Sequence, residues 1–360
     1  MDRRPVLTFA IPTWDRADFL NITLKHLTRE IDSTGRDVEI FVSDNASSDK
    51  TRDVLEEWAR KYNFVRFSIN KSNEGFDKNL ISAIRNSRGI YVWTFSDDDI
   101  IADGVLKKVI EYVEKYDPSY IAVQYDEFVT AQGDIDSINI LEMKKQDPLT
   151  LFNREELTST FFDIDFSGVI EKEFTRVGFV SMNIFNKELL DLEQIEENLS
   201  SMSAFSHILL IAQATFNGNG ILLPFVGVHF RKYNVRGSVM VIFDNLPRAF
   251  EFVFSLYKVD KSIQNKFFRR FKKIYLPFFS FIGWSLLQKI QIDSISFQNN
   301  QRINYEEINK RLINSVTFLY LEFVLPIIPK RFVLFMVKIY WRLICRKSSS
   351  RCSTLAQLKI

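Results

Sequence analysis

The feature that most restricts the fold of this chain is a regular exchange of short apolar runs and amphipathic stretches, sustained from the N-terminus to about residue 116. Val6-Leu7-Thr8-Phe9-Ala10-Ile11 is an apolar run closed by Pro12, and it reads as a buried strand. Asp18 to Ile31 follows with Phe19, Ile22, Leu27 and Ile31 at helical spacing. Val38 to Val42 is a second strand, Asp49 to Tyr62 a second helix with Leu55 and Trp58 on one face, and Val65 to Ile69 a third strand. Phe76 to Ser87 is a third helix and Tyr91 to Phe95 a fourth strand. This order predicts βαβ units and a mainly parallel sheet. Ligands of such sheets sit beyond the carboxyl ends of the strands. Polar clusters stand at those ends: Thr13 to Arg16, Asp44 to Asp49 and Ser96 to Asp99.

Further on the pattern loosens. Ile121 to Tyr125 and Ile221 to Leu223 read as strands, Glu188 to Leu199 as an exposed helix and Ser203 to Phe216 as a buried one. Past Gly237 come long helical segments rich in Phe, Lys and Arg. The chain of 360 residues has a formal net charge of +2, but that value averages two unlike parts. Residues 1–235 hold 26 Lys+Arg and 38 Asp+Glu, whereas residues 236–360 hold 21 and 7 and carry 15 of the 34 phenylalanines. A basic, aromatic-rich part beside an acidic one implies different partners for the two. The longest uncharged apolar stretch of the basic part, Ile274 to Gln288, is interrupted by Pro277 and Gly283 and is shorter than the ~20 residues a spanning helix needs. Aromatic and aliphatic side chains interleaved with Lys and Arg suit helices lying in the headgroup layer of an anionic membrane. The alternative is a helical subdomain that packs its aromatics internally. Nucleic acid is not an expected partner, since the charges alternate with bulky apolar residues and no RNA-binding signature is present. Both cysteines, Cys345 and Cys352, lie in the basic tail, which excludes a disulfide framework and a Cys-based zinc site and points to a reducing compartment. No apolar leader with a small-residue cleavage site follows Met1, so a secretory signal is not expected.

Ser96-Asp97-Asp98-Asp99, directly after the fourth strand, carries the strongest chemical signal. Three consecutive carboxylates repel one another and call for a cation. Hard oxygen ligands with little His or Cys nearby suit Mg²⁺ or Mn²⁺ bridging to phosphates. The competing reading is a solvated acidic turn that caps the next helix. Ser43-Asp44-Asn45-Ala46-Ser47-Ser48-Asp49 is a strand-to-helix loop in which Asp44 can accept hydrogen bonds from a ring N–H or amino group. In Asn73-Glu74-Gly75-Phe76-Asp77-Lys78-Asn79, Gly75 permits close backbone approach.

Taken together, Pro12-Thr13-Trp14-Asp15-Arg16, the Asp44 loop, Asn73-Glu74-Gly75-Phe76 and Ser96-Asp97-Asp98-Asp99, in this order and spacing, resemble the family 2 glycosyltransferases of the GT-A fold. The Gly75 to Asn79 and Ser96 to Asp99 variants are similar to the abequosyltransferase-like branch, whose members build O-antigen and related surface polysaccharides. The resemblance is specific over residues 5–115 and weaker over 116–240. It implies a Rossmann-like, mainly parallel α/β domain over 1–235, with a nucleotide-binding half 1–116 and an acceptor half 117–235; residues 236–360, beyond the resemblance, are expected from their charge and aromatics to be a helical, membrane-associating region. It implies that Pro12, Thr13, Arg16, Asp44, Asn45, Asn73, Gly75, Asn79 and Arg231 shape the donor pocket, that Asp97 contacts the ribose, and that Asp98 and Asp99, with His229 as a further ligand, hold Mg²⁺ or Mn²⁺ against the diphosphate. The Glu-Asp pair that usually supplies a general base is missing; Asp163 and Asp165 are substitutes, and Ser203 to His207 is a second region without a carboxylate. The implied donor is a nucleotide-sugar, the implied acceptor a glycan or a polyprenyl-diphosphate-linked saccharide, and the implied place the cytoplasmic face of the inner membrane, peripherally. Two other classes fit parts of the pattern: a metal-dependent nucleotidyltransferase and a non-catalytic nucleotide-sugar-binding partner.

Overall fold

The computed structural model describes residues 4–128, 150–155, 180–199, 205–231, 239–265 and 267–268. The chain divides into two compact units, Met1–Ile263 and Gln264–Ile360. In the first unit, strands β1 (Leu7–Thr13), β2 (Val38–Asp44), β3 (Val65–Ile69) and β4 (Tyr91–Thr94) are linked by helices α1 (Ala17–Thr34), α2 (Thr51–Lys61) and α3 (Phe76–Asn86). Then come β5 (Ile100–Ile101), α4 (Val105–Tyr116), β6 (Tyr120–Phe128), β7 (Thr150–Phe152), β8 (Asn183–Asn186), α5 (Leu192–Glu197), α6 (Ser206–Asn217), β9 (Gly220–Arg231) and α7 (Val239–Leu256). Among the described residues the strands form one sheet in the order β3-β2-β1-β4-β8-β6-β9-β5, with β7 paired to β9.

The expected parallel core is present: β1 pairs with β2 and with β4, and β2 with β3, all parallel. Every residue of β1 and β2 is buried, as an apolar run covered on both faces requires. Phe9, Trp93 and Phe95 meet there, Phe9 stacked on Trp93 at 5.1 Å and edge-on to Phe95 at 5.5 Å. Pro12 does not end β1, which runs on to Thr13 beside β2. The pairing with β4 stops at Ala10 and Thr94, so Pro12 has a neighbouring strand on one side only, a setting that tolerates a missing N–H.

The second half of the sheet is mixed. β8 inserts between β4 and β6, antiparallel to both, and β9 runs parallel to β6 and antiparallel to β5. β9 is four times longer than its readable core, Ile221 to Leu223, because Pro224 and Gly227 interrupt the apolar run; the backbone passes them with register shifts opposite Gln124. Helix α4 starts where Gly104, at φ +76°, gives its N–H at 3.0 Å to both carboxylate oxygens of Glu30 on α1. Burial is the main cause that pushes the Glu30 carboxyl above its ordinary value. Helix α7 lies within the first unit, beyond the expected boundary at residue 235, and packs on α6.

Candidate functional site

The site grows from the carboxyl ends of β1, β2 and β4, which the parallel register brings side by side. Thr13 closes β1 opposite Asp44, the last residue of β2. The loops that follow are laced together. Asp15, at φ 49°, accepts the Ser48 N–H at 2.6 Å and returns its own N–H to Ser47 Oγ at 2.8 Å. Asp49 accepts the N–H groups of Thr51 and Ala17, so the second loop also fixes the start of α1. Partial burial pushes the Asp49 carboxyl up, but these hydrogen bonds outweigh it and hold the group below its usual range. Trp14, 44% exposed, stands at the same edge.

Asp44 is buried. Its Oδ1 accepts the Ser47 N–H at 3.1 Å, while Oδ2 has no protein partner. Desolvation is the main cause that raises its carboxyl above the ordinary value, and the nearby Asp49 and Asp15 charges add to it. A carboxylate in this state gains from a ligand that donates a hydrogen bond.

Asn45, Asn73 and Asn79, expected to line the pocket, form with Asn70 a network of amides. Asn45 Nδ2 donates to Asn73 Oδ1 at 2.9 Å and to the Gly75 carbonyl at 3.2 Å, and Asn45 Oδ1 accepts from Asn70 and from the Glu74 N–H. Asn79 Nδ2 donates to the carbonyls of Ser43 at 2.9 Å and Thr13 at 3.3 Å, and its Oδ1 accepts from Asn70. These side chains therefore hold the 70–75 loop and the start of α3 against the ends of β1 and β2. Gly75, at φ +87°, takes the one conformation there that a side chain would strain. Asp77, in the first turn of α3, accepts the Ser206 N–H at 3.0 Å and so caps α6 from outside, at the segment where the sequence offers no carboxylate.

The acidic triplet lies deeper. Asp97, Asp98 and Asp99 are all buried, at 6%, 7% and 3% exposure. Thr13 Oγ1 donates to Asp97 Oδ2 at 2.8 Å. One Arg16 nitrogen reaches Asp98 Oδ2 at 2.7 Å and Asp97 Oδ1 at 3.3 Å. Ser96 Oγ donates to Asp98 Oδ1. Ser181, in the turn before β8, donates from Oγ to Asp99 Oδ2 at 2.5 Å, and Thr23 Oγ1 on α1 lies 3.0 Å from the carbonyls of Asp97 and Asp99. The turn is thus an ordered feature buried among hydroxyls, and not a solvated cap: the next helix begins only at Val105.

His229 reaches this place through β9, where it stands opposite Ile100 of β5, one residue past Asp99. Asp98, Asp99 and His229 nevertheless do not make a ready three-ligand cage: among the described residues no group of three or more His, Cys, Asp or Glu is disposed to hold a metal ion. Asp98 faces Arg16 and Ser96 while Asp99, the next residue, faces Ser181. Arg231 ends β9 opposite Phe128, and its side chain lies outside the described residues, as do Asp163 and Asp165 entirely. Sequence reasoning did not assign Ser181 to the triplet, and it missed Thr23 and Asn70. A lone serine, threonine or asparagine carries no periodic signal, and only the sheet order brings them in.

Comparison with known proteins agrees with this geometry. Residues 8–177 match the profile described as Glycosyl transferase family 2. The chain is 26% identical over 231 residues to Abequosyltransferase RfbV of Salmonella typhimurium, a match covering 61% of this chain and 64% of that protein. It is 20% identical over 265 residues to the GalNAc(5)-diNAcBac-PP-undecaprenol beta-1,3-glucosyltransferase of Campylobacter jejuni, covering 73% and 75%. The crystal structure of S. aureus TarS 1-349 in complex with UDP-GlcNAc superposes with a TM-score of 0.51 at 14% identity, covering 94% of this chain and 91% of that one, which establishes the shared GT-A fold. Residues 8–177, the part that holds β1 to β4 and the acidic triplet, thus match glycosyl transferase family 2, and the chain is similar to the abequosyltransferase branch.

Proposed function

We propose that the chain transfers a sugar from a nucleoside-diphosphate sugar to a glycan or polyprenyl-diphosphate-linked saccharide in surface-polysaccharide synthesis. The observation that carries this reading is the buried acidic triplet at the end of β4, fixed by Thr13 and Arg16 from the end of β1. A nucleotide laid across the strand ends meets Trp14 and Asp44 with its base and the triplet with its phosphates. Asp44 accepts a hydrogen bond from the base, and Asp97 lies where the ribose passes. The asparagine network keeps the 70–75 loop from collapsing into the pocket.

The triplet gathers three carboxyl groups out of bulk water, two of them paired with Arg16. Clustered carboxylate oxygens of this kind fit Mg²⁺ or Mn²⁺. Asp98 and Asp99 would hold such an ion, with His229 beside them, and diphosphate and water would complete its oxygen shell, the usual arrangement for a nucleotide-bound cation. When bound, the ion stabilises the charge that develops on the departing diphosphate. Arg16 is placed to offset part of the same charge as it forms, and Thr13 and Thr23 hold the triplet so that little reorganisation is required.

The basic, phenylalanine-rich residues 236–360 support a peripheral seat on the cytoplasmic face of an anionic membrane, where lipid-linked acceptors reside. The undecaprenol-linked saccharide in the name of the Campylobacter relative supports the same choice of acceptor. Among the described residues no helix is long and apolar enough to cross a membrane.

The test is a thermal-shift panel of UDP-, GDP-, CDP- and dTDP-sugars with and without Mn²⁺. One donor class raises Tm, by several degrees at 100 Kd (about 2.7 kcal/mol of mass-action stabilisation), and only with the metal present. Incubation with acceptor then releases nucleoside diphosphate. Release of pyrophosphate, or donor binding with no release, rejects the transfer reading.

A further inference from the structure

We infer that Ser181, on the turn before β8, is a positioning residue that sets the geometry of the acidic triplet for its cation and diphosphate. The inference rests on the reading above and adds a residue that neither the strand ends nor the loops at β1 to β3 contain.

The Ser181 side chain is 1% exposed and makes two hydrogen bonds of opposite sense. Its Oγ–H donates to Asp99 Oδ2 at 2.5 Å, and its Oγ accepts the Ser96 backbone N–H at 2.8 Å. Ser96 and Asp99 are the two ends of the acidic turn, so one hydroxyl clamps both. A hydroxyl has a single proton. With that proton directed at Asp99 and one of its two lone pairs taken by the Ser96 N–H, the hydroxyl is held in orientation from both sides. The backbone around it is equally fixed: Trp93 Nε1 donates to the Ser181 carbonyl at 2.8 Å, and Thr94 Oγ1 to the Val180 carbonyl at 2.7 Å. Ser181 is therefore seated on β4 itself, the strand that carries the triplet.

The direction of the Asp99 bond matters. A carboxylate oxygen that accepts from Ser181 is pinned on that side, and the group's rotation about its last bond is restricted. The cost of ordering the carboxylate is then met on folding and not on binding. Groups that orient the ligands of a metal commonly change its affinity by 10–100-fold when removed. Ser181 touches neither donor nor acceptor in this account; it acts through Asp99 and the Ser96 amide.

The test uses the full-length protein and Mn²⁺ binding followed by the electron paramagnetic resonance of the free ion, in the presence of whichever of UDP, GDP, CDP or dTDP raises Tm most. Ser181→Ala is expected to weaken Mn²⁺ binding by about tenfold or more. Ser181→Thr, which keeps the hydroxyl, is expected to bind Mn²⁺ within about threefold of wild type. If the alanine protein does not fold, Ser181→Cys fills the same volume with a weak donor and replaces it. The circular dichroism of the metal-free proteins is expected to be the same across the series, which separates a lost ligand orientation from a loosened fold. Equal Mn²⁺ affinity in wild type and Ser181→Ala overturns the inference, as does an equal loss in the alanine and threonine proteins. Failure of wild type itself to bind Mn²⁺ with any of the four nucleotides overturns the metal reading of the triplet, and this inference with it.

Discussion

Asp44 and the triplet, the strand-end side chains on which the proposed function rests, each make a separate prediction. With Oδ2 buried and unpartnered, the Asp44 carboxyl is raised above its ordinary value chiefly by desolvation. A raised carboxyl binds its proton more tightly in the folded than in the unfolded chain, so its contribution favours folding at acid pH and is lost as pH rises through the shifted value. Asp44→Asn removes that dependence while Ser47 can still donate to Oδ1. The variant is expected to melt above wild type at pH 7, by about 2–4 °C for each kcal/mol relieved, with the gap closing as pH falls toward the ordinary carboxylate range. Melting curves from pH 4 to 8 check this, and a constant gap contradicts it. The same variant is expected to lose donor binding. Asp98→Ala and Asp99→Ala are each expected to lower metal-dependent transfer by about 100-fold or more without unfolding the protein. Circular dichroism and nucleoside-diphosphate release measure the two parts, and full activity in both variants removes the assignment.

At the scale of elements, the site depends on how β1, β2 and α3 are tied. Asn79 joins them with a buried amide that serves Thr13, Ser43 and Asn70 at once. Asn79→Ala leaves two buried carbonyls short of a donor and is expected to cost about 1–3 kcal/mol in urea denaturation. Because the 70–75 loop then loosens, the KM for donor rises more than kcat falls; a drop in kcat alone would mean that Asn79 acts on the reaction directly. These ties also show what sequence can and cannot convey. Strands β1 to β4 are legible because a strand covered on both faces must be apolar along its length, and their polar ends then locate Thr13, Asp44 and Asp97 to Asp99. β8 is four residues long with asparagine at both ends, and β9 is broken to the eye by Pro224 and Gly227, so neither periodicity nor run length reveals them. Their partners are chosen by tertiary packing, which is why the mixed half of the sheet was not foreseen. The Ser181 to Asp99 contact spans 82 positions and exists only because β8 lies against β4. For the asparagines the residues were legible but their bonds were not: side chains expected to line the pocket also tie the 70–75 loop to the ends of β1 and β2.

For the whole molecule, the division between the two units and the division of charge fall at different places. The charge changes sign near residue 235, whereas the first compact unit extends to Ile263 and includes α7. Phe250 and Phe254 of α7 are buried, and Tyr257 just beyond it stacks on Phe216 at 4.0 Å between ring centres. A protein ending at residue 263 is expected to keep the metal-dependent thermal shift with donor, and one ending at 235 to melt at least several degrees lower, since burying such aromatics stabilises by about 1.5–3 kcal/mol each. Equal melting temperatures would show α7 to be dispensable to the first unit. If residues beyond 263 seat the enzyme on lipid, the 1–263 protein also floats with vesicles containing one-third phosphatidylglycerol far less than the full chain does, and equal flotation rejects a lipid-seating role for those residues. All of this presupposes that the turn after β4 gathers a divalent ion and, through it, a sugar donor's phosphates. The most direct measurement is an anomalous diffraction map at the manganese edge from crystals soaked with Mn²⁺ and the donor that raises Tm most. The account predicts one strong peak within ligand distance of Asp98 or Asp99, bridged to both phosphates; a donor bound elsewhere, or a peak away from the triplet, would contradict it.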